Sequence, residues 1–85
     1  MPPPDPGHNA VAERIAARLG AYLGPHTGRV AVKTFAQKAL GRGPDTLTVG
    51  DWTRLEPALR PMLRTLVGSA RAELVLSEIR RDIGA

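Results

Sequence analysis

Nucleophilic and acid–base chemistry need a reactive side chain with a base in hydrogen-bond reach, and this chain offers few candidates. It has no cysteine and two histidines, His8 and His26, each beside a predicted helix start. His8 falls in a proline-rich leader, and His26 reads as a solvent-exposed residue in a helix connection. The carboxylates for acid–base work would have to be Asp45, Asp51 and Glu56. Each has a simpler role: Asp45 suits a turn, Asp51 caps a helix and Glu56 precedes a proline. The histidines lie far apart and no acidic cluster has a ligand spacing, so no metal site is expected. The stretch Gly24 to Arg29, GPHTGR, partly resembles a phosphate loop. It lacks the four-residue gap, the Lys-Ser/Thr pair and a preceding strand, and it reads better as a helix-to-helix turn. No catalytic residue, metal ligand or cofactor is assigned, and the chain is read as not an enzyme.

Charge points toward binding. The 85 residues carry a formal charge of +4, with a pI near 10.7. Such a balance ordinarily indicates nucleic acid or an acidic partner. Most of the cations are Arg in an Ala-, Gly- and Pro-rich background, a composition also produced by GC-rich coding sequence. The excess is uneven: Arg14, Arg18, Arg29, Lys33, Lys38 and Arg42 occur with no acid between Arg14 and Pro44, whereas acids balance the cations from Asp45 onward.

The elements that must position these residues are helical. Met1 to Gly7, MPPPDPG, cannot supply regular backbone donors and reads as a disordered leader, leaving residues 9–85 as one helical domain. Val11, Ile15, Leu19 and Leu23 recur every four residues, which predicts an amphipathic helix from about Ala10 to Leu23, capped by Asn9. Gly24-Pro25 ends it. Pro25 then suits the first position of a second helix whose stripe is Val32, Phe35, Ala36, Ala39 and Leu40, stopped by Gly41. Gly41 to Thr46 is a loop by composition.

Thr48 and Asp51 have capping-box spacing, flanked by Leu47 and Trp52 at the positions of a hydrophobic staple, so a third helix starts at Val49. Its apolar set is Trp52, Leu55, Leu59, Met62, Leu63 and Leu66, in phase across Pro57 and Pro61. An interior proline costs about 3 kcal/mol, so this segment is expected to be kinked or split at Pro57/Pro61. Gly68 ends it, and Ser69 is read as the cap of a fourth helix carrying Ala72, Val75, Leu76, Ile79 and Ile83. The expected fold is all-α, a compact bundle of four helical segments.

Two surfaces follow. Arg29, Lys33 and Gln37 share one face of the second helix and Arg42 follows it, giving a candidate face for nucleic acid or an acidic partner. With the Gly24-Pro25 corner, the first two helices partly match a helix-turn-helix in which Val30 takes the buried position after the turn, although Lys33 stands where an apolar contact belongs. Trp52 and Phe35 fall on apolar faces, leaving Tyr22 as the one aromatic available for base stacking. Leu74 and Val67 are apolar beyond a narrow stripe, so Leu74, Val75 and Ile83 are candidate contacts with another protein or a second copy, the alternative being that they close the chain's own core.

The segments YLGPHTGRVAVKTFAQKALG, LTVGDW, ALRPMLRTLVG and AELVLSEI, between Tyr22 and Ile79, resemble small helical domains found alone or attached to bacterial signalling proteins such as response regulators and Roadblock-type proteins. The likeness rests on Gly24-Pro25, on Leu47-Thr48 with Asp51, and on Leu66-Val67-Gly68. It implies a protein-interaction role and carries over no catalytic or ligand position. The expectation is therefore a cytoplasmic, non-catalytic interaction or oligomerisation module, a homodimer or a partner-binding unit. The alternative is a DNA-binding domain using the second helix. No apolar run reaches the roughly 20 residues of a membrane-spanning helix.

Overall fold

A computed structural model describes residues 9–85. The leader at 1–8, including His8, lies outside the described residues. Four α-helices follow one another: α1 (Ala10–Leu23), α2 (Pro25–Leu40), α3 (Trp52–Val67) and α4 (Ser69–Ile83), with 3-10 turns at Pro44–Thr46 and Val49–Asp51 between α2 and α3. No strand occurs among the described residues. Val30 to Val32, short and β-branched at both ends, is absorbed into α2 because helical packing buries Ala31 and Val32.

Asn9 caps α1, its Oδ1 accepting from the N–H groups of Val11 at 2.9 Å and Ala12 at 3.1 Å. Its Nδ2 donates to the Leu47 carbonyl at 3.0 Å and to that of Asp45 at 3.2 Å, so the same side chain ties the start of α1 to the α2–α3 connection. The capping box at Thr48 and Asp51 is formed: the Thr48 N–H donates to the Asp51 carboxylate at 3.0 Å. Val49–Asp51 is wound as a 3-10 turn that runs directly into α3.

The third segment is thus a 3-10 turn joined to one helix, the joined form of the two expected, with Pro57 and Pro61 inside it. Both prolines lie on its exposed side, where water can serve the carbonyls of Thr53 and Pro57 that lose their N–H partners. At the next turn Thr65 Oγ1 donates to the Pro61 carbonyl at 3.0 Å.

Ser69 does not cap α4. Gly68 occupies the cap position at φ +89°, and no side chain bonds there. Gly24, at φ +98°, makes the same single-residue corner between α1 and α2. Only glycine adopts such a backbone freely.

Each helix packs on its two neighbours in a ring, α1 on α2 and α4, α3 on α2 and α4. One core fills the centre, with Ile15, Leu19, Leu55, Leu59, Leu63, Val75 and Ile79 fully buried. Trp52 is buried with them, and Phe35, Met62 and Val67 pack against the cluster half-buried. Leu66 leaves the stripe to which periodicity assigned it and is 56% exposed. It stands one residue from the end of α3, beside the Gly68 corner, and the first buried residue of α4 is Ala72.

Candidate functional site

Among the described residues the charged side chains sort into a paired set and an unpaired set, and the candidate basic face on α2 belongs to the second, along with Arg54, Arg71 and Arg81. Arg18 lies between α1 and α4, its Nε donating to Asp82 Oδ2 at 2.8 Å, its Nη2 to Asp82 Oδ1 at 3.1 Å and its Nη1 to Glu78 Oε2 at 3.0 Å. Two parallel bonds to one carboxylate fix orientation as well as charge. Tyr22 Oη, one turn along α1, donates to the other Glu78 oxygen at 2.6 Å. Tyr22 is therefore committed to a helix–helix contact, half-buried, and is no stacking platform.

The bonds shift these groups as expected of ion pairs. The Arg18 guanidinium holds the Asp82 carboxyl below the usual aspartate value, and the hydrogen bond to Glu78, with burial and that carboxylate's charge, raises Tyr22 above the usual phenol value. The four-residue spacings of Arg18 with Tyr22 and of Glu78 with Asp82 are complementary on antiparallel helices. That signal is present in the sequence, where Arg18 reads only as one cation of the acid-free stretch.

Between α3 and α4, Arg60 does the same work. Its Nε donates to Glu73 at 2.8 Å and its Nη2 to Glu56 at 2.8 Å, with Arg64 at 3.9 Å from Glu73. The hydrogen bond from Arg60 holds Glu73 below the usual glutamate value. Arg42 reaches the cap of α3, its Nη2 donating to Asp51 Oδ1 at 2.8 Å. Asp51 is lowered chiefly by the Thr48 N–H, with further help from Arg42 and the Thr48 hydroxyl. Asp51 and Glu56, read from the sequence as cap and helix residue rather than catalytic pair, are held in these structural contacts.

Of the candidate basic face, Arg29, Lys33 and Gln37 are exposed together on α2. Among the described residues neither Arg29 nor Lys33 makes an ion pair. Lys38, on the adjoining side, lies 5.8 Å from the centre of the Phe35 ring. Arg42 does not join them, because Asp51 neutralises it and holds it at the start of α3. Nor is Val30 buried as a helix-turn-helix would require: it is 46% exposed, since Gly28, Ala31 and Val32 take the face toward the interior. The corner before α2 is Gly24 alone, shorter than the three- or four-residue turn of that motif. An open groove runs along α2 to the Gly43-Pro44 turn, lined mainly by apolar surface, with Val30 and Pro44 in its wall and Lys33, Gln37 and Lys38 around them.

The chain matches no protein-family model, no curated protein and no solved structure. The surfaces themselves must carry the functional reading.

The candidate protein contacts divide sharply. Val75 is 0% exposed and Ile83 5%, so both close the chain's own core and are unavailable to a partner. Helical phase explains this, because Ala72, Val75, Ile79 and Ile83 form one stripe and Leu74 points off it. Leu74 is 54% exposed and borders a shallow depression with Val67, Ala70 and Arg71 at the α3–α4 corner. Leu66, which sequence reading placed in the core, is exposed on the last turn of α3 beside the same corner. No helix among the described residues is long and apolar enough to cross a membrane.

Proposed function

We propose that this chain is a non-catalytic helical interaction module, working in the cytoplasm, whose association surface is the α3–α4 corner. The observation that carries the reading is the pair Leu66 and Leu74, each more than half exposed on either side of Gly68. Isolated exposed leucines are ordinary, but Leu74 borders a depression with Val67 and Ala70, and Leu66 is exposed two residues before the same corner, so a second surface seated there would cover apolar area favourably. Burying a leucine stabilises by roughly 1.5–3 kcal/mol relative to leaving it in water. The acidic side chains support the same view, because Asp51, Glu56, Glu73, Glu78 and Asp82 all hold arginines that fasten one element to another or one turn to the next. The likeness to helical domains of bacterial signalling proteins favours a role in signalling or regulation.

Sedimentation over a range of concentrations tests the reading with a second copy as partner. The native chain is expected to dimerise, and the double variant Leu66→Ser, Leu74→Ser to remain monomeric with unchanged helicity. A strict monomer at the highest concentrations, with the double variant indistinguishable from it, removes the corner as an association surface.

A second reading, DNA binding, draws on Arg29, Lys33 and Gln37 without Arg42. It requires duplex binding that falls steeply as salt rises and is reduced by Lys33→Glu. Duplex binding absent at low salt removes it.

A further inference from the structure

We infer that the groove between the outer face of α2 and the Gly43-Pro44 turn docks an acidic peptide segment bearing an aliphatic or aromatic anchor. The inference concerns a surface separate from the α3–α4 corner and stands whether or not that corner associates.

Charge complementarity fixes the partner's sign. α2 contains no acidic residue, and the exposed Arg29 and Lys33 occupy successive turns of one face, with Lys38 on the adjoining side. Elsewhere in the molecule Arg18, Arg42 and Arg60 each lie within 3.0 Å of a carboxylate oxygen, so their charge is spent internally. The α2 cations make no such pair among the described residues; Arg54, Arg71 and Arg81 make none either, but only on α2 do such cations border the apolar groove of Val30 and Pro44. Lys33 and Lys38 border the groove itself, and Gln37 between them offers an amide donor and acceptor to a passing backbone.

The apolar wall fixes the rest. Val30 is 46% exposed in the second turn of α2, and Pro44 faces it from the first residue of the 3-10 turn. Arg42 and Asp51, by tying the end of α2 to the start of α3, hold the turn that carries Pro44 close to α2. An anchor side chain set against Val30 and Pro44 leaves water, and carboxylates flanking it reach Lys33 and Lys38. Apolar anchors with charged rims are how helical grooves take amphipathic peptides. A nucleic-acid backbone gains nothing from Val30 and Pro44. Three cations are also few against the 6–10 phosphate contacts typical of duplex binders.

The test is a titration of the whole chain with three labelled probes: an Asp/Glu-rich peptide carrying two leucines four residues apart, the same peptide with both leucines replaced by serine, and a short DNA duplex. The leucine peptide is expected to bind most tightly, with its shifts confined to α2 and the Gly43-Pro44 turn. Loss of the leucines, or Val30→Ser in the protein, should weaken it about tenfold, the factor that corresponds to about 1.4 kcal/mol. Lys33→Glu should weaken it about tenfold at low salt and less at high salt, where screening shortens the reach of the charge. Val30 and Lys33 are exposed, and helicity measured alongside keeps unfolding from passing as lost binding. Leu66→Ser with Leu74→Ser should leave peptide affinity unchanged, which separates this surface from the corner. Equal binding with and without leucines, tighter binding of the duplex, or no binding of the leucine peptide at millimolar concentration each overturns the inference.

Discussion

The two helical hairpins turn the same corner and close by different means. Gly24 joins α1 to α2 at φ +98°, ψ 146°, and Gly68 joins α3 to α4 at φ +89°, ψ 160°; in both, the glycine N–H bonds the carbonyl four residues back. Beyond the corner the likeness ends. α1 and α2 approach backbone to backbone at Gly28, where a Cβ would stand 2.6 Å from the Ala16 carbonyl oxygen and 2.6 Å from the Gly20 nitrogen. In α3 and α4 the surfaces that meet are Leu55, Leu59 and Leu63 with Ala72, Val75, Leu76 and Ile79, edged by the Arg60 pairs. Identical backbone punctuation therefore fixes a change of direction, while the size of the facing side chains fixes how closely the arms lie. Both hairpins bury apolar side chains in the common core, but in the first the missing side chain at Gly28 sets how closely the helices approach.

That contrast can be broken from either side. The largest effect is expected at Leu63, fully buried in the α3 face: Leu63→Ala should cost about 2–5 kcal/mol in denaturant unfolding, because a cavity remains where the core cannot collapse. Gly28→Ala comes next. Alanine is the better helix former by about 1 kcal/mol, yet here the new Cβ meets rigid backbone, so the variant should be destabilised by about 1–3 kcal/mol. A stabilised Gly28→Ala protein would mean that α1 and α2 can move apart freely, and the contrast between the hairpins would dissolve.

Smaller effects lie in the ion pairs, and pH separates them by sign. Asp82 and Glu73 have folded values depressed by Arg18 and Arg60, so their stabilisation is present above the ordinary values of 3.8 and 4.5 and is lost as pH falls through the lower folded values. Thermal melts should therefore weaken in acid, and Asp82→Asn should flatten part of that decline. Tyr22 runs the other way. Its raised value keeps its contribution intact below the ordinary 10.0, and the contribution is lost as pH rises through the folded value. Tyr22→Phe should remove an alkaline decline that the native chain shows. These side chains reach solvent, so screening by salt should shrink both effects.

Much of this was legible in the residues because local rules suffice for it. Asn9, Gly24-Pro25, Gly41 and Gly68 mark helix ends wherever the chain goes next, and the bounds of α1 and α2 agree with those expected from them. Ser69 misled, since its hydroxyl would cap only if the residue stood one place outside the helix, and the corner at Gly68 leaves it already inside. Leu66 misled for a related reason: periodicity reports which face a residue occupies but not whether the neighbouring helix extends far enough to cover it. Arg18 and Arg42 were legible as cations. Their removal from the exposed charge was not, because partners 60 and 9 residues away become neighbours only after folding.

What the sequence determined by itself is the set of helices, their ends and the apolar stripe of each, because capping, proline and period act within a few residues. The tertiary structure decided which apolar and charged side chains remained for a partner. That choice left Leu66, Leu74, Val30, Arg29 and Lys33 exposed, took Val75 and Ile83 into the core and drew Arg18 and Arg42 into ion pairs, because burial and pairing depend on what the facing element presents at each level.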